Sequence, residues 1–237
     1  MGLSQDLEQL TAADLLQWAL STHGEKFGIA TSFQKEGMAI VDLACRSASS
    51  ALPRVFTLDT GRLPEETYRM MASVRERYGV TVEIVAPERE ALETMVSLHG
   101  PNLFYESQNL RELCCETRKV RPMQRKLREF DVWATGLRRG QSETRAAVRK
   151  AEEVDGRLRL CPLADWSAED VDEYIRAHRV PVHPLYQRGY ATIGCAPCTR
   201  AVAAGEDARA GRWWWEDRTI KECGLHFAPD GTVKHDA

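Results

Sequence analysis

Five cysteines carry the pattern with chemistry in it. Cys114 and Cys115 are adjacent and run straight into Glu116-Thr117-Arg118-Lys119, while Cys195 and Cys198 form a Cys-x-x-Cys knuckle within Gly194–Arg200. A fifth, Cys223, lies in Lys221-Glu222-Cys223-Gly224-Leu225-His226. Four thiols in two pairs can close around one metal centre. Structural zinc prefers spaced knuckles, and the side chains of adjacent residues diverge, so Cys114-Cys115 suits a single ion poorly. An iron–sulfur cube is larger and takes its ligands on different irons, and thiolate-only ligation suits it. The spacing therefore favours an iron–sulfur cluster for Cys114, Cys115, Cys195 and Cys198, with zinc and unrelated thiol pairs left open.

Cys223 has a different setting. A thiolate is the nucleophilic form of cysteine, and nearby cations such as Lys221 favour it. Gly224 lets the chain bend, so a tail could carry this thiol into and out of a pocket. The alternative is a surface cysteine in a loose tail. Cys45, in an apolar helix, and Cys161, at a strand, read as core residues. Lys119 lies four residues beyond Cys115, which on an α-helix places a cation on the same face. It belongs to a run of seven basic residues against two acidic ones between Arg111 and Arg128. A second basic group holds Arg138, Arg139, Arg145, Arg149 and Lys150. Both groups suit either a solvated face or a pocket for a small polyanion. Three consecutive tryptophans, Trp213 to Trp215, cannot all face one core, and some are expected as a lid or against another subunit.

These residues need elements to hold them. The chain has 237 residues, 43% hydrophobic and 28% charged, with a net charge of −3, an ordinary globular composition with no general nucleic-acid signal. No stretch reads as an export signal or a membrane span, so the seven cysteines favour metal or redox chemistry in the cytoplasm over a disulfide framework. Helices are expected from a Thr11 cap, over 38–46, from Pro64 to Tyr78, over 87–98, over most of 109–130, and from a Ser167 cap to His178. Strands are expected at 27–31, 54–58, 81–85, 132–135 and 158–163, with Ser32 to Gly37 a polar turn and 137–149 an Arg-rich loop. Strands alternating with helices imply an α/β fold with a mostly parallel sheet. Ligands of such sheets bind beyond the strands' C-terminal ends, which puts Ser32–Gly37, Asp59–Gly61 and Gly136–Arg145 on one rim.

Taken together, Cys114-Cys115-x-x-x-Lys119, Cys195-x-x-Cys198, the Cys223 segment, Leu58-Asp59-Thr60-Gly61 and Thr135-Gly136-Leu137-Arg138-Arg139 resemble the assimilatory adenylyl-sulfate (APS) reductases over about residues 27–227. The resemblance implies an adenine-nucleotide α-hydrolase-like fold, related to the PP-loop enzymes. Residues 1–205 would form the nucleotide-binding domain with the iron–sulfur site, and 206–237 a mobile tail with the nucleophile. It implies thioredoxin-dependent reduction of APS to sulfite and AMP through an S-sulfocysteine on Cys223. It assigns Cys114, Cys115, Cys195 and Cys198 to a 4Fe–4S cluster that organises the site electrostatically. Substrate contacts carried over are Ser32, Leu58, Lys119, Gly136, Arg138, Arg145, Arg209, Arg212 and His226. The loop Ser32-Phe33-Gln34-Lys35-Glu36-Gly37 departs from the Ser-Gly-Gly type of PP-loop enzymes, which speaks against ATP pyrophosphate cleavage. No glutaredoxin-like domain follows Cys223, so the expected donor is a separate protein. The rivals are a reductase of 3′-phospho-APS (PAPS), which generally lacks the cluster cysteines, and a PP-loop sulfur-transfer enzyme acting on tRNA. No nucleic-acid or membrane partner is expected for the reductase, and a homo-oligomer stays open.

Overall fold

The structure, a computed structural model, describes residues 3–48, 51–142 and 145–216. Its centre is a six-stranded sheet in the order β3-β2-β1-β4-β6-β5, made of β1 (Phe27–Ala30), β2 (Arg54–Leu58), β3 (Val82–Val85), β4 (Val132–Ala134), β5 (Ala151–Val154) and β6 (Arg157–Leu160). β1 pairs in parallel with β2 and β4, and β4 with β6. The helices are α1 (Leu3–Glu8), α2 (Ala12–His23), α3 (Lys35–Ser47), α4 (Glu65–Tyr78), α5 (Arg89–His99), α6 (Gln108–Cys115), α7 (Arg121–Leu127) and α8 (Ala168–His178). The expected α/β architecture with a mostly parallel sheet is the one found. An antiparallel pair, β5 with β6, is an edge hairpin absent from the sequence reading, although Asp155-Gly156, both at positive φ, is a strong hairpin signal.

The chain divides into two compact units. The first holds the described residues of 3–57, 66–83 and 127–183. Its core includes Leu15, Leu16, Phe27, Ile29, Phe33, Ile40 and Val55, all fully buried, each worth about 1.5–3 kcal/mol by burial. Two caps behave as the sequence predicts: Thr11 accepts from Asp14 N, and Ser167 from Asp170 N with Asp170 reaching back. Asp42 is buried at 1% exposure and accepts from Tyr78 Oη (2.9 Å), Tyr174 Oη (2.7 Å) and Arg46 Nε (2.6 Å). Those bonds compensate the burial of a carboxylate and tie α3, α4 and α8 together.

The second unit holds residues 58–65, 84–126 and 184–216. It contains α5, α6, most of α7 and short 3-10 turns at Leu103–Tyr105, Pro184–Arg188 and Ala196–Cys198. The segment expected as one helix over 109–130 is helical but not uniform: Glu116–Val120 is a π turn set between α6 and α7.

Candidate thiol centre and nucleotide rim

Cys114 and Cys115 are the last two residues of α6, which Ser107 caps by accepting from Leu110 N. The π turn begins at the next residue. Such turns insert a wider loop of backbone and gather at functional sites. Here Lys119 lies inside the wider turn, so it does not sit one regular α-turn from Cys115 as the spacing alone suggests.

Cys114, Cys115, Cys195 and Cys198 pack in one cluster with Met95, Leu103, Phe104 and Trp213. All four are buried, at 7–9% exposure, and unoxidised. The sequence's two distant pairs are thus gathered in one chamber. Among the described residues no group of three or more His, Cys, Asp or Glu is drawn tight enough for one ion; the thiols are gathered without being closed.

The loop after β2 links the two pairs. Asp59 Oδ1 accepts from Gly61 N (2.8 Å), and Gly61 has φ of +68°, a backbone state that favours glycine. This turn presents Thr60, whose Oγ1 lies 3.2 Å from Cys195 Sγ and accepts from Arg62 N. Ala196 N donates to Arg62 O (2.8 Å). On the other side Arg118 Nη1 donates to Thr60 O (2.6 Å). Arg62 itself is held by Pro101 O and Asn102 Oδ1.

The chain after the knuckle returns to the same chamber. Trp213 N donates to Cys198 O, Arg200 N to Gly211 O, and Thr199 bridges Arg212. Trp213 is 1% exposed, with the guanidiniums of Arg111 and Arg212 at 4.6 and 4.8 Å from its ring. Arg212 Nη1 donates to Thr199 Oγ1, and a Cβ on Gly194 would overlap its guanidinium, which explains a glycine directly before Cys195. Arg111, 2% exposed, forms a two-pronged ion pair with Glu216, Nε–Oε1 2.8 Å and Nη2–Oε2 3.3 Å. Trp215 donates from Nε1 to Phe104 O. Two of the three tryptophans therefore face one cluster while Trp214 is 39% exposed, so the three do not all face one core.

Burial pushes the Cys198 thiol up to about 12, with the nearby Cys195 and Cys114 adding to it and Lys119 and Arg212 opposing. Burial also raises Cys114, and the Arg118 guanidinium, by charge and by a hydrogen bond to the thiol, pulls back against it, as does Lys119. Four buried thiols, with Arg118 and Lys119 acting on Cys114 and Lys119 and Arg212 on Cys198, form a donor set that favours a shared cationic centre once deprotonated. That chemistry fits a 4Fe–4S cluster bound through thiolates.

In the first unit, Ser32 and Gly136 follow the C-terminal ends of the neighbouring strands β1 and β4. Ser32 Oγ accepts from Gln34 Nε2, and Phe33, fully buried, holds φ of +58°, a strained state for a bulky residue. The polar turn is shorter than expected, because α3 starts at Lys35. Its first turn approaches β4's exit so closely that a Cβ on Gly136 would lie 2.8 Å from Glu36 Cβ and 3.2 Å from Gly37 N. A helix N-terminus beside a strand end is a site for an anion. Arg138 is buried against Glu36 (Nη2–Oε1 2.9 Å) and Trp166 O, and Arg145 hydrogen bonds Gln141 Oε1. The Arg-rich loop is thus laced by acceptors within it, Gln141 and Val148 O, and outside it, Glu36 and Trp166 O. In the second unit Leu58 ends β2, Lys119 lies in the π turn, and Arg209 N donates to Asp207 Oδ1. Cys223, Lys221 and His226 lie outside the described residues.

Thr60, Arg118, Arg111 with Glu216, and Trp213 were not singled out from the sequence as parts of the thiol site. Thr60 had a local signal in the Asp-Thr-Gly turn after β2, and Trp213 one in the run of three tryptophans.

The sequence profile of the phosphoadenosine phosphosulfate reductase domain matches residues 26–201. A protein of Burkholderia cepacia named adenosine 5′-phosphosulfate reductase is 46% identical over 217 residues, spanning 90% of this chain and 86% of its own length. One of the same name from Allochromatium vinosum is 47% identical over 214 residues, 88% and 82% of the two chains. Among solved structures, the phosphate complex of PAPS reductase from Candida auris superposes with a TM-score of 0.69 at 27% identity, covering 84% of this chain and 94% of that one. Yeast FAD synthetase with FAD, at 13% identity and TM-score 0.53, shares the fold.

Proposed function

The chain belongs to the phosphoadenosine phosphosulfate reductase family, and from that premise we propose that it reduces adenylyl sulfate to sulfite and AMP with thioredoxin as donor, in assimilatory sulfate reduction in the cytoplasm. The observation that carries the reading is the convergence of Cys114, Cys115, Cys195 and Cys198 in one cation-ringed chamber. A PAPS reductase without cluster cysteines has no use for it.

The Cys223 thiolate attacks the sulfur of APS. A sulfur–sulfur bond forms, the sulfur–oxygen bond to the phosphate breaks, and AMP leaves with the electron pair. One thioredoxin thiolate then attacks Cys223 Sγ and expels sulfite. Its second thiol resolves the mixed disulfide, returning the Cys223 thiolate. The dithiol supplies two electrons and gives up two protons, which balances the reduction of sulfate-level sulfur to sulfite.

A thiolate approaching a sulfonyl group ringed by anionic oxygens needs cations around the substrate. Lys119, Arg209, Arg212 and His226 are assigned that role, with Arg138 and Arg145 ordering the loop after β4. Ser32 and the α3 N-terminus receive the phosphate, and backbone at Leu58 and Gly136 reads adenine. Cys114, Cys115, Cys195 and Cys198 would hold a 4Fe–4S cluster, which when bound supplies a fixed charge centre.

The test is to mix the anaerobic protein with APS and no reductant, then map adducts by mass spectrometry. The expected result is one sulfonate added on Cys223, lost on adding thioredoxin with release of sulfite, and iron and sulfide in the same preparation. A clear preference in kcat/KM for PAPS reassigns the substrate; ATP turnover with RNA binding moves the chain to the sulfur-transfer enzymes.

A further inference from the structure

Gln141 closes the short 3-10 turn Arg139–Gln141 after β4, and its amide is used at both ends. Oε1 accepts from Arg138 N at 3.1 Å and from Arg145 Nη1. Nε2 donates to Glu36 Oε1 and to Gly136 O, each at 3.0 Å. The partners dictate which end is which: a backbone N–H and a guanidinium only donate, while a carbonyl and a carboxylate accept. Two acceptor contacts and two donor contacts satisfy a side-chain amide fully. These bonds join the two places in the first unit to which nucleotide binding is assigned. Glu36 lies in the first turn of α3, the helix whose N-terminus takes the phosphate. Gly136 lies just beyond β4, where its backbone reads adenine. A Cβ on Gly136 would lie 2.8 Å from Glu36 Cβ, so the two backbones are in close approach. Closeness by itself leaves a strand exit free to slide along a helix end until directional bonds fix it. Gln141 supplies those bonds from a third segment. Arg138 closes the network, its guanidinium on Glu36 Oε1 (Nε 3.0 Å, Nη2 2.9 Å) while its own N–H is held by Gln141. A polar network in which each member is satisfied is rigid.

We propose that Gln141 is a positioning residue for the nucleotide: its amide sets the spacing between the strand exit that reads adenine and the helix end that takes the phosphate. The proposal rests on the reading that adenylyl sulfate binds across these two places. A ligand held at two linked points gains over its separate parts because the second contact forms at a high effective concentration, and the gain is lost when the spacing is wrong. Removing the amide should therefore weaken a ligand that spans both places and spare ligands that use only one.

The test compares the iron-loaded parent with Gln141→Met and Gln141→Asn, neither of which alters the net charge. Inhibition of APS turnover by AMP, by adenosine and by ribose 5-phosphate is measured, together with KM and kcat for APS. In Gln141→Met the inhibition constant of AMP should rise about tenfold, with those of adenosine and ribose 5-phosphate within about twofold of the parent's. The loss should fall on KM for APS more than on kcat, as when binding common to the ground and transition states is removed. Gln141→Asn keeps the amide on a shorter stem that cannot reach Gly136 O, Glu36 and Arg138 N together, so it should behave like Gln141→Met. A merely structural role would lower the thermal midpoint and leave the three inhibition constants at parent values. A role in one half of the site alone would weaken one fragment as much as AMP. Either result overturns the proposal. If Gln141→Met does not fold, the ratio of AMP to fragment inhibition in Gln141→Asn decides in the same way. A parent in which AMP does not compete with APS defeats the underlying reading itself, and this inference with it, and is recognised without any variant.

Discussion

Cys161 and Cys198 are the same residue under nearly the same burial, at 0% and 7% exposure. In both, burial is the main cause lifting the thiol to about 12. Their surroundings differ in kind. Cys161, in the sheet unit, packs with Leu137, Ala164 and Val148, and the charges that reach it are of mixed sign, from Arg159 and Arg145 against Glu152 and Glu8. Cys198, in the second unit, feels two other thiols and the cations Lys119 and Arg212. A solitary buried thiol stays protonated and serves as a small apolar filler. Several such thiols brought together cannot all ionise without a shared positive centre, and Lys119 and Arg212 already oppose the rise at Cys198. The distinction lies in what is grouped with the thiol, since depth of burial is common to both.

The sharpest way to break that contrast is to remove one cysteine from each setting. Cys198→Ser should lose the chromophore and most iron and sulfide, and with them APS reduction, as read by metal analysis and sulfite release. Cys161→Ala should keep iron and activity and lose about 1–2 kcal/mol of stability. Equal iron in both proteins would erase the difference between the two sites.

Next comes the buried pair that closes the thiol chamber. Arg111→Met leaves Glu216, whose side chain is 8% exposed, without its main partner. Breaking such a pair costs about 3–5 kcal/mol, measurable by urea unfolding, whereas the double variant Arg111→Met/Glu216→Met should recover a large part of that loss. A single variant as stable as the parent would show that the chamber does not depend on the pair.

These residues also show what the sequence could and could not say. The cysteine pattern carried its chemistry because a pair of adjacent thiols and a Cys-x-x-Cys knuckle are local signatures. The caps at Thr11 and Ser167 were legible for the same reason: cap and N3 partner are three residues apart. Thr60 and Cys195 are 135 residues apart, and nothing in either neighbourhood points to the other. Arg111 and Glu216 lie 105 apart and read as ordinary surface charges until burial is known. The π turn has no composition of its own; it interrupts a helix whose periodicity looks continuous. The β5–β6 hairpin is different, since Asp155-Gly156 marks it plainly; the acidic, short β5 hid the strand.

A smaller effect is expected on the nucleotide side. Gly136→Ala places a methyl 2.8 Å from Glu36 Cβ and close to Gly37 N, so either α3 or the β4 exit must shift. Such overpacking costs about 1–3 kcal/mol. AMP affinity should fall by about tenfold, about 1.4 kcal/mol, with iron content unchanged, as read by calorimetry. Loss of iron in Gly136→Ala would mean that the two regions are not separable in the way the thiol comparison assumes.

At neutral pH the smallest effect concerns the solitary thiols themselves. Burial, aided by Asp42, lifts Cys45 to about 12, as burial lifts Cys161. At pH 8 a group with that pKa is thiolate for about one part in ten thousand, so alkylation of either residue in the folded protein should be undetectable on the timescale that modifies an unfolded control, as followed by peptide mapping. The same shift has a stability consequence whose sign is fixed. The folded pKa lies above the unfolded value, near 8.5, so the unfolded chain ionises first. The contribution is complete below that pH and is lost as pH rises toward 12, by up to about 1.4 kcal/mol per pH unit for each thiol. Cys161→Ala should flatten the alkaline side of the stability profile by that slope. A profile unchanged by the substitution, or prompt alkylation of Cys161 at pH 8, would mean that this thiol is not sealed away, and that isolation in an apolar setting does not separate the two kinds of cysteine.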